Sequence, residues 1–366
     1  MIIENGLVFQ EDGSYKKEPV YIYEDKIVSS LEEVVDKTVI DASGLKVIPG
    51  LIDIHSHGAF GHDFSDGNVK GLQTILKYQK SHGITSYCPT SMTLGIDVLE
   101  QIFGTASQVG NAKEQATIVG LNMEGPFLDP SKKGAHLEKY IVHLSSEFFD
   151  HCQQASNGMI KLVTVAPNAK GAMDFIREKH KEVHISLGHT AATYDCCMEA
   201  FQAGADHVTH LYNAMPPYSH RSPGLVGAAT DAEHCYVELI SDGIHIHPSV
   251  VRSTFKLFQD RVVLISDSMM ATGMENGTYE LGGQQVTVTD GKATLANGTI
   301  AGSATNLFDC MKKAISFGVP EKDAILAATK NPAMSIGIFD EVGSISVGKK
   351  ADLLLVTEDF TLKQVI

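Results

Sequence analysis

Short apolar runs rich in β-branched residues recur along the chain, beginning near Val47, Ile84, Thr117, Ile160, Val183, His207, Tyr236 and Val262. Between them, apolar positions fall every three or four residues in VKGLQTILKYQKSHG, SSEFFDHCQQASNG, NAKGAMDFIREKH, TYDCCMEAFQAGA and HPSVVRSTFKLFQD, a spacing that predicts helices. Eight such β/α units over roughly 280 residues fit an α/β fold of the (β/α)8 or TIM-barrel type, whose active sites gather at the C-terminal ends of the strands. A doubly wound open sheet is the competing arrangement. No G-x-G-x-x-G follows the first strand and no G-x-x-x-x-G-K-[ST] occurs, so neither nucleotide-binding signature supports it.

Outside the repeating units the texture changes. From Met1 to about Val47 the chain reads as short alternating strands with turn signals, and the same pattern returns in VGSISVGKKADLLLVTEDFTLKQVI. The two ends together predict one small β-sandwich domain, residues 1–47 with 342–366, beside a barrel spanning 48–341. The stretch GTYELGGQQVTVTDGKATLANGTIAGS breaks the helical rhythm after the eighth run and predicts a β-hairpin insertion at about 277–300.

Polar residues stand where the runs end. VIPGLIDIHSHG ends in His55 and His57, TIVGLNMEGPFL in Glu124, EVHISLGHT in His189, DHVTHLYNAM in His210 and RVVLISDS in Asp267. Two histidines spaced i, i+2 on an extended segment point the same way, so both rings can reach one ion. An isolated pair of this kind is more often structural; here it precedes a glycine-rich loop. Glu124, followed by Gly125-Pro126, is left at the barrel rim, where a carboxylate needs a cation. With His189 and His210 it forms a Glu/His/His set that leaves a position open, as in catalytic metal sites. Asp267 reads as a loop carboxylate or helix cap, or else as the general base that takes a proton from water beside a metal. In the loops, His136, Asn213, Ala214, Arg221, Asp242 and His245 read as solvated side chains or as handles for a substrate.

Bulk properties narrow the partners. A chain of 366 residues, 43% hydrophobic, holds a barrel-sized core plus a smaller appendage. Its net charge of −15 repels phosphate backbones and anionic lipid, which argues against nucleic acid or membrane as a partner. A small anionic substrate still fits if Arg221 and a histidine focus positive potential at the barrel mouth. The six cysteines show no paired framework, and adjacent Cys196 and Cys197 suit a reducing compartment. The N-terminal stretch MIIENGLVFQEDGSYKK has neither the basic region nor the apolar core of a secretory signal, so the expected location is cytoplasmic.

Read together, PGLIDIHSHG, GLNMEGPFLDPSKKGAH, SLGHT, VTHLYNAM, SDGIH, ISDSMMATG, TIAGS and GSISVGKKADLLLV resemble the amidohydrolase superfamily over nearly the whole chain. The combination of EGPF, KGAH, THLYNAM and DGIH is similar to its N-acetylglucosamine-6-phosphate deacetylases. The resemblance implies removal of the N-acetyl group from N-acetyl-D-glucosamine 6-phosphate by a metal-activated water. It further implies that Glu124, His189 and His210 hold a divalent ion (zinc, iron, manganese or cobalt), with His55 and His57 available for a second. Asp267 would be the catalytic acid and base, and His136 would contact the sugar or polarise the acetyl carbonyl. Ala135, Asn213, Ala214, Arg221, Asp242 and His245 would meet the substrate, with Arg221 reaching across a homodimer, and Ile300, Ala301 and Gly302 would cover the sugar. Other amidohydrolases bridge two metals with a carboxylated lysine; here Glu124 stands at that strand-three position. Two alternatives remain: a deacylase of another N-acyl amino sugar or acyl amino acid, and a scaffold that has lost catalysis. Retention of all the ligands together argues against the scaffold.

Overall fold

The computed structural model describes all 366 residues. Its centre is a parallel barrel of eight strands: β1 (Leu51–Ser56), β2 (Ile84–Ser91), β3 (Leu121–Glu124), β4 (Ile160–Val165), β5 (His184–Leu187), β6 (His207–Val208), β7 (Tyr236–Ile240) and β8 (Val262–Ile265). Each strand pairs in parallel with the next from β1 to β8. Across the β8–β1 seam, Asp267 N–H donates to the His55 carbonyl at 2.9 Å. Below it, Ser266 Oγ donates to the buried Asp53 carboxyl at 2.5 Å. Desolvation pushes the Asp53 pKa up to about 7.

Helices α1 (Val69–Ser81), α2 (Ile96–Ala106), α3 (Ser146–Ala155), α4 (Ala172–Lys179), α5 (Tyr194–Ala203), α6 (Gly224–Asp231), α7 (Pro248–Phe258) and α8 (Leu307–Ser316) follow the eight strands in turn. Their boundaries have local causes. Asn68, Ser145, Thr193 and Asn306 each accept a backbone N–H of the first turn, and Pro248 opens α7 at a position where no N–H is needed. Their apolar faces and the strands share one buried group of 65 residues, from Leu72 and Ile75 of α1 to Leu307 and Met311 of α8.

The run beginning near Val47 divides between two elements, a difference from the sequence reading. Lys46–Pro49 belongs to a second sheet, between Leu7–Phe9 and Leu353–Val356, and β1 starts only at Leu51. The division falls at Gly50, where a Cβ would lie 2.2 Å from Thr85 Oγ1, so only glycine lets the chain pass this close to β2. That sheet has the order Leu362–Val365, Leu353–Val356, Lys46–Pro49, Leu7–Phe9, Tyr15–Lys17. It packs on a four-stranded sheet through Ile3, Val8, Val20, Ile22, Val47, Leu353 and Leu355, forming a small sandwich beside the barrel.

Beyond β8, Gly277–Leu281, Gln284–Thr289 and Lys292–Thr294 form a three-stranded antiparallel sheet, one strand more than a hairpin. It covers one side of the barrel mouth through Leu281, Val286, Val288, Ala293 and Leu295, which pack on Met92, Ala135, Met269 and Ala301.

Candidate active site

The polar residues that end the strands meet in one buried cup at the C-terminal face. The carboxylate of Glu124, last residue of β3, is its centre. Oε1 lies 3.2 Å from His189 Nε2, 3.0 Å from His210 Nε2 and 3.4 Å from His55 Nε2. Oε2 lies 3.2 Å from His57 Nε2 and 3.3 Å from His136 Nε2. Asp267 Oδ1 faces the first-strand pair, 3.3 Å from His57 Nε2 and 3.7 Å from His55 Nε2. All seven residues are at least nine-tenths buried.

Backbone geometry aims three of them. His189, His210 and Asp267 each follow the end of a barrel strand in left-handed conformation, with φ of 45°, 27° and 49°. This turns the side chain over the barrel axis, at about 1–3 kcal/mol each for a non-glycine residue. Such strain persists where the surroundings over-determine it, and it clusters at functional sites.

The far side of each ring determines what the near side offers. The Nδ1 of His57 lies 3.1 Å from the Thr90 carbonyl and that of His189 lies 2.8 Å from the Lys132 carbonyl. A carbonyl only accepts, so both Nδ1 atoms carry a proton, and Nε2 is the nitrogen that can give up its proton and turn a lone pair to a cation in the cup. His55 Nδ1 donates to Glu238 Oε2 at 2.8 Å, and its buried Nε2 has no hydrogen-bond partner. His136 is reversed. Its Nδ1 accepts the Thr93 N–H at 3.2 Å, so the neutral ring carries its proton on Nε2 and points a donor inward. Burial holds its pKa down to about 4, which keeps the ring neutral.

Ring nitrogens crowded on carboxylate oxygens, with His189 Nε2 and His210 Nε2 only 3.0 Å apart, require positive charge among them, from protons on the rings or from a cation in their place. The electrostatics agree. Burial alone would raise Glu124, yet His55 and its neighbours hold it well below the usual carboxylate range; burial likewise opposes Asp267, yet the hydrogen bond from His57 and the charge of His55 hold it to about 2. Conversely, burial would depress His57, and Asp267 with Glu124 lifts it to about 10. Donor spacings of 3.0–3.7 Å match the roughly 3.4 Å edges of a tetrahedron with metal bonds of about 2.1 Å. The residues therefore fit a divalent cation. Glu124 borders both ligand groups, with His55, His189 and His210 around Oε1 and His57 beside Oε2.

A second cluster gives a useful contrast. His184, Asp206 and His207 meet at the opposite end of the barrel, where β5 and β6 begin. There the Nδ1–carboxylate distances are 2.6 and 2.8 Å, which are hydrogen-bond lengths, and the histidines donate directly to Asp206.

The cup opens into a cavity of about 290 Å3 whose wall includes Met92, Gly134, Ala135, His136, Asn213, Ala214, His245, Leu281, Thr299, Ile300 and Gly302. The amidohydrolase family model matches residues 46–366. The chain belongs to the amidohydrolase family. This amidohydrolase is 35% identical to N-acetylglucosamine-6-phosphate deacetylase of Bacillus subtilis, over 98% of the chain and 90% of the relative. It is 32% identical to N-acetylgalactosamine-6-phosphate deacetylase of Escherichia coli O157:H7, over 93% and 91%. Among solved structures, N-acetylglucosamine-6-phosphate deacetylase from Pasteurella multocida superposes with a TM-score of 0.92 at 30% identity, covering 100% of this chain and 97% of the other.

Some expected site residues of this amidohydrolase lie off the cavity. Asp242 is buried behind His245, accepting its Nδ1–H at 2.8 Å and two backbone N–H groups, so it reaches the cavity only through that ring. Ala301 is fully buried in the apolar layer beneath Ile300 and Gly302, which do face the cavity. Arg221 is exposed on the loop after β6, outside the cavity wall. In the other direction, sequence reasoning passed over Glu238. It is a fully buried carboxylate in the middle of β7, whose Oε2 accepts from His55 Nδ1 and, at 3.1 Å, from the His210 N–H. An acid inside the apolar run YVELI was the available signal, because a buried charge requires a partner. Met92 and Leu281 gave no such signal.

Proposed function

We propose that the chain hydrolyses N-acetyl-D-glucosamine 6-phosphate to D-glucosamine 6-phosphate and acetate. The observation that carries this is the mixed character of the cup: His55, His57 and His189, each donating through Nδ1 on its far side, turn Nε2 toward Glu124 as potential ligands, while the neutral His136 points an N–H donor into the same space.

Glu124, His189 and His210 would hold one divalent cation, and His55, His57 and Asp267, sharing Glu124, a second. A cation there supplies Lewis acidity, which makes water nucleophilic near neutral pH and draws electron density from an amide carbonyl. Asp267 accepts the proton of the attacking water as its oxygen bonds to the acetyl carbon. The same carboxyl then delivers that proton to the amide nitrogen as the C–N bond breaks, because an amine leaves poorly unless protonated. His136 Nε2–H stabilises the carbonyl oxygen as it gains charge, a contribution of about 3 kcal/mol for one well-placed donor. Its proton stays on the ring, since Thr93 occupies Nδ1.

His245, Asn213 and Ala214, across the cavity, would receive the phosphate, and Gly134, Ala135, Ile300 and Gly302 the sugar. Asp242 fixes the His245 ring. Arg221, exposed on its own subunit, would serve the phosphate site of the partner in a homodimer.

The test is acetate release by the purified protein from N-acetylglucosamine 6-phosphate, with and without prior chelation and with metal content determined on the same sample. The unphosphorylated sugar and the galacto epimer run alongside. Chelator-sensitive turnover of the phosphorylated glucosamine derivative supports the assignment. Preference for the epimer moves the assignment to the substrate named for the Escherichia coli relative, and no turnover by metal-replete protein sends it to other N-acyl compounds.

A further inference from the structure

We infer that the inserted three-stranded sheet positions His136, and that Gln284 is the residue through which it does so. The inference rests on the reading of His136 as the donor to the substrate carbonyl.

His136 is held at two points. Its ring is fixed by the Thr93 N–H, and its backbone lies in the loop Gly134–Leu137, where the Gln284 side-chain amide donates to the carbonyl of Ala135. The tip of the insertion reaches both. A Cβ on Gly282 would lie 3.1 Å from Met92 Cε, and one on Gly283 would lie 3.6 Å from Leu137 Cδ1. Met92 adjoins Thr93, while Ala135 and Leu137 flank His136. Leu281, Gly282, Gly283 and Gln284 thus press on the chain neighbours of both attachments, and Leu281 itself lines the cavity. A sheet acting only as a cover would touch the rim of the mouth. This one grips the segments that aim one proton. Gln284 is half-buried and its amide is the only side-chain donor to this loop's backbone from the insertion, so the link passes through a single replaceable group.

Two substitutions test this. Gln284→Leu keeps side-chain bulk and removes the donor; Gln284→Lys keeps a donor of similar reach. Misplacing a reacting group by about 1 Å costs up to ~100-fold, so Gln284→Leu should lower kcat by about 10- to 100-fold. KM should change by a smaller factor than kcat, since Gln284 reaches the sugar site only through the Ala135 carbonyl, and metal content should not change. Gln284→Lys should recover most of kcat. In a His136→Gln background Gln284→Leu should cause no further loss, since residues acting through one group are not additive. Independently of any substrate, long-range 15N spectra of labelled histidines should show His136, identified by its absence in His136→Gln, as the Nε2–H form in the parent and altered in Gln284→Leu. An equal fold-loss in both backgrounds, or an unchanged His136 signal, overturns the inference. If the parent does not turn over the sugar phosphate, the proposed function fails, and the spectra still decide whether Gln284 positions the ring.

Discussion

Glu238→Gln isolates the contribution of a carboxylate that touches neither substrate nor cation. Glu238 Oε2 accepts from His55 Nδ1 at 2.8 Å and from the His210 N–H at 3.1 Å, so it fixes the tautomer of one proposed ligand and the backbone of another. Glutamine keeps an acceptor oxygen in nearly the same place and removes the charge. Hydrogen bonds to a charged group contribute about 1.5–3 kcal/mol, and losing the charge while keeping the bond forfeits roughly half, about 0.8–1.5 kcal/mol. At 1.4 kcal/mol per decade this is an about 4- to 12-fold weaker divalent-metal affinity, reaching the low end of the 10–100-fold typical for groups behind metal-bound histidines. Competition against a chromophoric chelator at fixed pH, with ions counted per chain, measures it directly. Activity at saturating metal should fall much less than affinity. Affinity within about twofold of the parent would refute the assignment of Glu238 as the group that makes His55 a better ligand.

Other expectations follow from the same geometry. Asp267→Asn should keep the fold, since asparagine tolerates φ near 49°, and the cation assigned to Glu124, His189 and His210, and lose about 10²–10⁴-fold in kcat; measurable retention of most turnover would remove Asp267 from proton transfer. Removing the metal should lower Tm as well as activity, because an ion at 1,000 times its Kd adds about 4 kcal/mol to stability; calorimetry of chelated and reloaded protein checks it. Asp206 is held well below the usual carboxylate range: burial opposes this, but His207 and His184 outweigh it. A depressed acid contributes stability above its unfolded pKa and loses it as pH falls through the folded value. Asp206→Asn should therefore cost about 2 kcal/mol near neutrality, with the difference from the parent shrinking below about pH 4. Urea unfolding of both proteins at pH 7 and pH 3 would show it, and a pH-independent gap would argue against it.

Much of the candidate site was legible because each proposed ligand stands at or just beyond the end of a strand. A polar residue closing a β-branched run is visible in one dimension, and a barrel brings all such ends to one face, so His55, His57, Glu124, His189, His210 and Asp267 could be gathered before any coordinates. What could not be read depends on contacts between distant segments. The tautomer of His136 is set by the backbone of Thr93, 43 residues earlier, and the Ala135 loop is held by Gln284, 149 residues later. Asp242 and His245 share one motif, and only the fold shows that one carries the other. The boundary at Gly50 was hidden because the strands on either side are equally apolar, and the close approach of Thr85 that divides them leaves no mark in the local pattern.

The strand Lys46–Pro49 has its antiparallel partner in Leu353–Val356, about three hundred residues downstream. At 5–20 residues per second, synthesis leaves that strand without this neighbour for roughly 15–60 s, long enough for a barrel to form around β1 first. The five-stranded sheet of the sandwich can be completed only after every barrel strand has been made. A chain halted before Leu353 carries a complete set of barrel strands and an unpaired backbone edge along Lys46–Pro49, the kind of edge that pairs with other strands. Only the arrival of Leu353–Val356 covers that edge.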